Sequence, residues 1–323
     1  MIIVTGGAGF IGSAFIAKLN SQGVTDILVV DGKDLGHRAQ ILRNKSYLEF
    51  IDKDEFINRV RNDTLPHSVS AIVHMGACSS TTERNAEYLR VNNIEYSKSI
   101  IEYCISKNIR CIYASSAATY GDGAQGYSDN ESELERFKPL NLYGESKHLC
   151  DLWARNQGYL SKVVGLKFFN VYGPNEYYKG DMASIAWKSY NAILQTGSFS
   201  LFKSHRPDYA DGEQKRDFVY VKDCCEVMWW LLQNPNVNGL FNVGSGKARS
   251  WNDLLRAVFT AMGREPKIQF IDMPESIRNQ YQYFTEAPMQ KLVAAGYTKP
   301  FHSLEEGVRD YITQHLMHSD RHW

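Results

Sequence analysis

The sequence predicts an α/β fold, a doubly wound parallel sheet with a smaller α/β substrate-binding domain, and three observations carry that prediction. Short apolar or β-branched runs alternate with stretches of helical periodicity from residue 2 to residue 168, with no hairpin signal between them. The first run leads straight into a glycine-rich turn, Gly6-Gly7-Ala8-Gly9-Phe10-Ile11-Gly12. After Asn170 the alternation loosens, which puts the second domain in the later part of the chain.

Residues 2–5 are too short for a helix and apolar enough for a buried strand. Phe10, Ile11, Ala14, Phe15 and Leu19 then recur at helical spacing. A second strand over 26–30 ends at Asp31, and a polar stretch containing Arg38 runs over 32–45. A third strand is expected over 47–51, a short helix over 54–60 and a fourth strand over 70–74. That strand runs into 75–83, a loop of small and hydroxyl residues. A long helix over 85–106 carries Asn92. The fifth strand, 109–114, leads into Ser115 and Ser116, a polar loop reaches Pro139, and a helix over 143–157 precedes a sixth strand at 163–168. Such alternation implies parallel strands joined by right-handed crossovers.

Farther on, residues 170–174 read as a turn, 183–195 as a helix and 200–202 as a strand. A charged insert follows over 203–215. Residues 218–221 are extended, 223–232 helical and 240–243 a strand, and the last helix covers 304–316. The expected division is 1–170 plus about 216–243 for the dinucleotide-binding domain, and about 171–215 plus 244–323 for the substrate domain.

Composition narrows the function. Among 323 residues, 43% are hydrophobic, and 36 Lys and Arg balance 36 Asp and Glu. No basic excess points to nucleic acid, and no polybasic run to a membrane surface. The fingerprint strand starts at residue 2 and leaves no room for a signal peptide, so a cytoplasmic location is expected. The six cysteines show no C-x-x-C pattern and read as reduced core thiols. The histidines lack ligand spacing, so no metal is expected; those in the tail over 316–323 read as part of a frayed end.

The glycine turn sits between a strand and a helix, where a backbone can approach a pyrophosphate and free helix N–H groups face it. Both Gly7-x-Gly9-x-x-Gly12 and Gly6-x-x-Gly9-x-x-Gly12 fit. Asp31 falls 19 positions after Gly12, where an acid reaches an adenosine ribose. In Tyr143-Gly144-Glu145-Ser146-Lys147 the tyrosine and lysine are four apart on one helix face. A tyrosine with an ordinary pKa of about 10 needs an adjacent cation to serve as a base near neutrality. A serine at the end of the preceding strand can hold the same substrate oxygen.

Fingerprint, serine and Tyr-x-x-x-Lys in this order resemble the extended short-chain dehydrogenase/reductase family along the whole chain. The resemblance implies a Rossmann sheet, a nicotinamide cofactor and a nucleotide-sugar substrate. By motif it makes Ser116 the hydroxyl donor, Tyr143 the acid/base and Lys147 its activator. Dehydratases of the family carry an acidic pair after the serine, where this chain has Ala117 and Ala118, so the resemblance implies an epimerase or a dehydrogenase. The closer likeness is to the branch that inverts C6 of an ADP-linked heptose. It rests on 76–83 (GACSSTTE), 113–121 (YASSAATYG), 169–174 (FNVYGP), 179–184 (KGDMAS) and 216–221 (RDFVYV).

That likeness implies an ADP-heptose substrate and makes Lys179 a second acid/base. It places Gly6, Gly7, Gly9, Phe10, Ile11, Gly12, Asp31, Gly32, Arg38 and Lys53 at the cofactor. It adds Met75, Gly76, Ala77, Cys78, Ser79, Asn92 and Val171 there, together with Tyr143, Lys147 and Lys179. Asn170, Asp181, Lys188, Phe202, Arg216 and Tyr281 fall at substrate positions. Met75 stands where many members have an acid, and Asp181 and Lys188 where Ser and His are common. Asp31 alone favours NAD, whereas Arg38 and Lys53 suit the 2′-phosphate of NADP, the expected cofactor. The likeness also implies a homo-oligomer, such as a pentamer. A different nucleotide-sugar epimerase or reductase, or a non-catalytic NADP-binding regulator on the same fold, are the alternatives.

Overall fold

The structure is a computed structural model and describes residues 1–278 and 281–323. Its strands, in chain order, are β1 (Ile2–Thr5), β2 (Ile27–Asp31), β3 (Glu49–Asp52), β4 (Ala71–His74), β5 (Arg110–Ser116), β6 (Val164–Phe168), β7 (Asn170–Tyr172), β8 (Phe199–Phe202), β9 (Lys215–Tyr220), β10 (Gly239–Val243), β11 (Ala248–Ser250) and β12 (Ile268–Ile271). The α-helices are α1 (Phe10–Ser21), α2 (Lys53–Arg61), α3 (Ala86–Leu89), α4 (Tyr96–Lys107), α5 (Leu142–Asn156), α6 (Ile185–Thr196), α7 (Val221–Gln233), α8 (Trp251–Ala261), α9 (Glu275–Arg278), α10 (Gln290–Ala294) and α11 (Leu304–Tyr311).

Seven strands form the main sheet in the order β10-β6-β5-β4-β1-β2-β3, and every pair is parallel. Two strand orders run outward from β1, one to β3 and one to β10, so β1 and β4 flank the point where the order reverses. Ligand crevices open at that point, at the strands' C-terminal ends. Apolar residues on both sides of the sheet are fully buried, as a sheet covered by helices requires.

The later part of the chain is shared between layers. Strand β10 joins the main sheet and α7 packs against α1, whereas β9 pairs with β7 and β11 in a three-stranded sheet. Strand β8 pairs with β12.

Three expectations need correction. Residues 170–172 form a strand rather than a turn, because their backbone pairs with β9 from a distant part of the chain. The long helix over 85–106 is interrupted by a π-helical stretch over Arg90–Glu95. The tail is docked, not frayed. Asn175 exchanges hydrogen bonds with the Trp323 backbone, Tyr177 OH donates to the Arg321 carbonyl, and Asn44 donates to Asp320.

Candidate active site

The site begins at the glycine turn. Gly6 has φ +64°, and a Cβ there would stand 2.7 Å from the Gly76 backbone, so the β1 turn and the β4 loop meet without side chains between them. A Cβ on Gly12 would lie 2.1 Å from the Gly6 carbonyl oxygen, and its absence brings α1 down onto the turn. Gly9 begins α1 without a side-chain cap, and the first turn holds no acid. These are the features an anionic pyrophosphate fits.

The turn opens on a cleft of about 370 Å³. Gly6, Gly9, Phe10, Ile11 and Gly12 line one wall, and Asp31, Gly32, Arg38 and Lys53 line the end beyond β2. Met75, Gly76, Ala77, Cys78, Ser79 and Asn92 line the wall after β4, and Lys179 closes it from the later half of the chain. Gly7 is not at the cleft: it packs against Val29 on β2. Val171 is in β7, opposite Val219, and is not part of the lining. Thr5, Val30, Tyr88, Tyr96 and Tyr178 line it as well and were not singled out from sequence. Tyr88 and Tyr96 flank Asn92 at four-residue spacing, a pattern that could have revealed them.

At the far end the protein holds Asp31 firmly. Its carboxylate accepts from the Ala8 and Gly32 N–H groups, and Arg38 pairs with it at 2.8 Å. Lys53 donates to Asn92 and to Asp54.

Ser116, Tyr143 and Lys147 are not in the cleft lining; Cys78, which is, lies close enough to influence both Tyr143 and Lys147. Ser116 ends β5, and its Oγ accepts from the Ala118 N–H. Tyr143 and Lys147 share one face of α5, whose start is fixed by the Asn141 side chain accepting from the Gly144 N–H. Burial raises the Tyr143 hydroxyl above the ordinary tyrosine value, and the Ser116 hydroxyl acts in the opposite sense. Burial lowers the Lys147 ammonium, partly offset by Cys150, Asp151 and Cys78. Lys147 Nζ donates to the Ala114 carbonyl at 2.8 Å, which ties the helix to the strand that presents Ser116.

The fourth candidate comes from a loop. Lys179 lies 5.4 Å over the Phe10 ring, at the first residue of α1, and burial lowers its ammonium. The preceding residue, Tyr178, accepts the Phe10 N–H through its hydroxyl. Buried Glu176 clips the loop, accepting from the Gly173 and Ser184 N–H groups and from the Ser184 hydroxyl.

The substrate candidates fall into separate groups. Arg216 is 6% exposed and carries its guanidinium over the rings of Tyr281 (5.2 Å) and Trp251 (5.6 Å). Trp251 Nε1–H donates to the Tyr281 hydroxyl. Tyr127 and Tyr209 also influence Arg216, and burial moves its guanidinium below the usual arginine value. Arg216 forms no ion pair among the described residues; its Nη1 donates to the Lys215 carbonyl. A buried guanidinium with aromatic walls is suited to a phosphate. Lys188 Nζ donates to the Asp181 carbonyl, beside Lys179 in sequence. Asn170 is exposed at the start of β7 and accepts from Thr285. Phe202 ends β8 opposite Ile271 and is joined to neither group by a hydrogen bond or ring contact among the described residues. The insert 203–215 is folded onto this half: Ser204 N–H donates to Asp211, and Arg206 stacks on Tyr209 and Tyr283.

The fold and site define a dinucleotide-binding α/β enzyme of the Tyr-x-x-x-Lys kind. Residues 2–244 match the NAD dependent epimerase/dehydratase family, and the chain belongs to that family. Over 320 residues it is 57% identical to ADP-L-glycero-D-manno-heptose-6-epimerase of Nitratidesulfovibrio vulgaris strain DP4, covering 99% of both chains. The enzyme of the same name from Fusobacterium nucleatum is 48% identical, again over 99% of each. Among solved structures it is similar to the Helicobacter pylori ADP-L-glycero-D-manno-heptose-6-epimerase, at 30% identity and TM-score 0.80, covering 97% of this chain and 95% of that one. It is also similar to the Thermus thermophilus UDP-glucose 4-epimerase in complex with NAD, at 26% identity and TM-score 0.76, over 96% and 97%.

Proposed function

We propose that this protein inverts C6 of the heptose in ADP-D-glycero-D-manno-heptose, giving the ADP-L-glycero-D-manno epimer through a transient 6-keto sugar, with NADP held through the cycle. The observation that carries this reading is the presence of two titratable side chains, each shifted by burial, on different elements, Tyr143 on α5 and Lys179 on the 173–184 loop, to which the reading gives the two proton transfers. Full-length likeness to heptose 6-epimerases supports the choice of sugar.

When bound, the nicotinamide supplies a hydride acceptor and donor. Tyr143 takes the C6 hydroxyl proton while Ser116 Oγ holds that oxygen and the Lys147 ammonium favours the phenolate. C6 is outside the ring, so the ketone can turn about the C5–C6 bond and present its other face. The turned oxygen lies away from Tyr143 and needs its own proton donor, and Lys179 takes that role. Burial has brought its ammonium closer to neutrality, the property a donor of this kind requires. After one inversion Tyr143 holds a proton and Lys179 lacks one, and exchange with solvent resets both. In this reading Arg216, with Tyr281 against it, takes the diphosphate, and Asn170, Asp181, Lys188 and Phe202 are assigned to the sugar and nucleoside by likeness.

Arg38 and Lys53 at the Asp31 end support NADP. Both line that end of the cleft, Arg38 paired with Asp31 and Lys53 bonded to Asn92 and Asp54, and a 2′-phosphate would draw on these two cations in competition with those partners. This reading also carries a cytoplasmic location and a homo-oligomer, which sizing by light scattering would test. Among the described residues no helix is long and apolar enough to cross a membrane.

Incubation with ADP-D-glycero-D-manno-heptose, followed by NMR of the C6 configuration, tests the reaction. The expected result is an equilibrium mixture of the two epimers without net consumption of cofactor. A stoichiometric demand for reduced cofactor would make the protein a reductase, and no conversion would leave the regulator alternative. Mass spectrometry of the denatured supernatant should find NADP(H), and NAD alone would overturn the role given to Arg38 and Lys53.

A further inference from the structure

Directly behind the catalytic strand end lies a pair of buried charges that the mechanism does not use. Asp151 and Lys167 are both 0% exposed, with Nζ 2.7 Å from Oδ2. Asp151 follows Lys147 by four residues and Tyr143 by eight, so all three stand on one face of α5. Its carboxylate accepts from Tyr113 OH at 2.9 Å and from Ser115 Oγ at 2.6 Å, both on β5. Lys167, on β6, also donates to Thr119 Oγ1 at 2.8 Å and lies 4.9 Å from the Tyr120 ring centre. Thr119 in turn donates to the Ser116 carbonyl.

The bonds therefore form a closed frame. One side runs from α5 through Asp151 to Ser115. Another runs from Asp151 through Lys167 and Thr119 to Ser116. A third runs from Lys147 to Ala114. Three consecutive residues at the end of β5 are thus tied to one helix face. A buried ion pair is a poor source of net stability, since desolvation offsets most of its attraction. Its value here is geometric, because it fixes Ser116 against Tyr143, and electrostatic, because it sits one turn from Lys147.

We propose that the Asp151–Lys167 pair is a positioning couple for the reaction: it fixes the end of β5, with Ser116, against the face of α5 that carries Tyr143 and Lys147, and its charges set the field those side chains feel. The proposal rests on the assignment of Tyr143 as the acid/base. The groups facing that face are Ser116 and Tyr113 from β5, Lys167 from β6, Cys78 and His74 from β4 and its loop, and Lys147, His148 and Cys150 from α5 itself. Asp151 opposes ionisation of Tyr143, and Lys167 offsets that charge.

The test uses cofactor-loaded Lys167→Met and Asp151→Asn, with Tyr143→Phe as control, and measures kcat, KM and the pH dependence of C6 inversion. Lys167→Met should lose roughly 10- to 100-fold in kcat with little change in KM, as a misplaced catalytic group does. The acid limb of its pH profile should move to higher pH, because Asp151 then opposes the phenolate unbalanced. Asp151→Asn keeps the shape and should move that limb to lower pH. If Lys167→Met does not fold, the near-isosteric Asp151→Asn decides by itself. Limbs that stay in place, or move the same way in both variants, overturn the proposal, since a purely structural pair changes only the amount of active protein. A Tyr143→Phe variant that retains turnover would instead sink the assignment beneath it.

Discussion

The two regions that handle protons are built differently. Helix α5 carries Tyr143 and Lys147 on a long regular element, anchored at its start by Asn141 and along its face by Lys147, Asp151 and Lys167. The 173–184 loop carries Lys179 at the start of a single 3-10 turn, Gly180–Met182, with no α-helix beneath it. It is held at one point by Glu176, which bonds both Gly173 and Ser184, and at another by Asn175, at φ +78°. Asn175 donates to Ser13 on α1 and exchanges bonds with the Trp323 backbone. A helix face holds its side chains by many repeated bonds, so removing one leaves the rest. A clipped loop depends on separate side-chain bonds, here from Glu176, Asn175, Tyr177 and Tyr178, with no repeating backbone ladder behind them, and is the easier region to loosen.

The contrast is broken most completely on the helix side. Tyr143→Phe keeps the ring's packing and removes the proton acceptor, so inversion should fall by roughly 10³- to 10⁴-fold with cofactor still bound. Near-normal turnover in the NMR assay would show that α5 does not carry the base.

Lys179→Met tests the loop side. Net inversion should fall by about 10²- to 10³-fold. Oxidation of one C6 epimer through Tyr143 should survive, seen with C6-deuterated substrate as deuteride returned to its original face. Wild-type inversion would make Lys179 a bystander and assign the second proton to another group or to water.

Glu176→Gln sharpens the comparison at the clip itself. Losing the charge that supports the Lys179 ammonium should lower that group further, so the alkaline limb of inversion should move to lower pH. A rate loss of roughly tenfold is expected from the looser loop. An unchanged alkaline limb would mean that Glu176 and Lys179 are not electrically coupled.

A further effect, on stability rather than rate, concerns the end of β4. His74 is buried between Thr5 and Ser97, and burial together with Lys147 pushes its pKa down to about 3. The unfolded chain takes up that proton near pH 6.5, so the folded state's advantage is intact above about 6.5 and is lost as pH falls towards 3. Urea unfolding of the wild type should show a slope of up to one proton, about 1.4 kcal/mol per pH unit, across that window. His74→Gln should flatten it, and parallel curves for the two proteins would exclude His74 as the titrating group.

Much of the first region was legible in sequence because its signals are local. Strand β1, the glycine turn and α1 occupy one continuous stretch, and Tyr143 with Lys147 lies within one helical turn. The second region was legible only by likeness. Nothing in the spacing around Lys179 marks it, and its environment comes from Phe10 on α1 and from Glu176. Tyr178 was missed for the same reason: its hydroxyl caps the first N–H of α1 from 168 positions away.

By itself the sequence determined the alternation of strand and helix, the parallel sense of the main sheet, and the residue types at the strand ends. Each depends on neighbours a few positions apart, where periodicity and steric preference act. Only the tertiary structure decided that residues 170–172 are a strand, that the tail is docked through Asn175, that Arg216 sits among Trp251, Tyr281, Tyr127 and Tyr209, and that Asp151 and Lys167 form one frame with Ser115 and Thr119. These depend on backbone pairing and burial between distant segments. A hydroxyl or a charge has no fixed role until the fold places its partner within about 3 Å and excludes water from it.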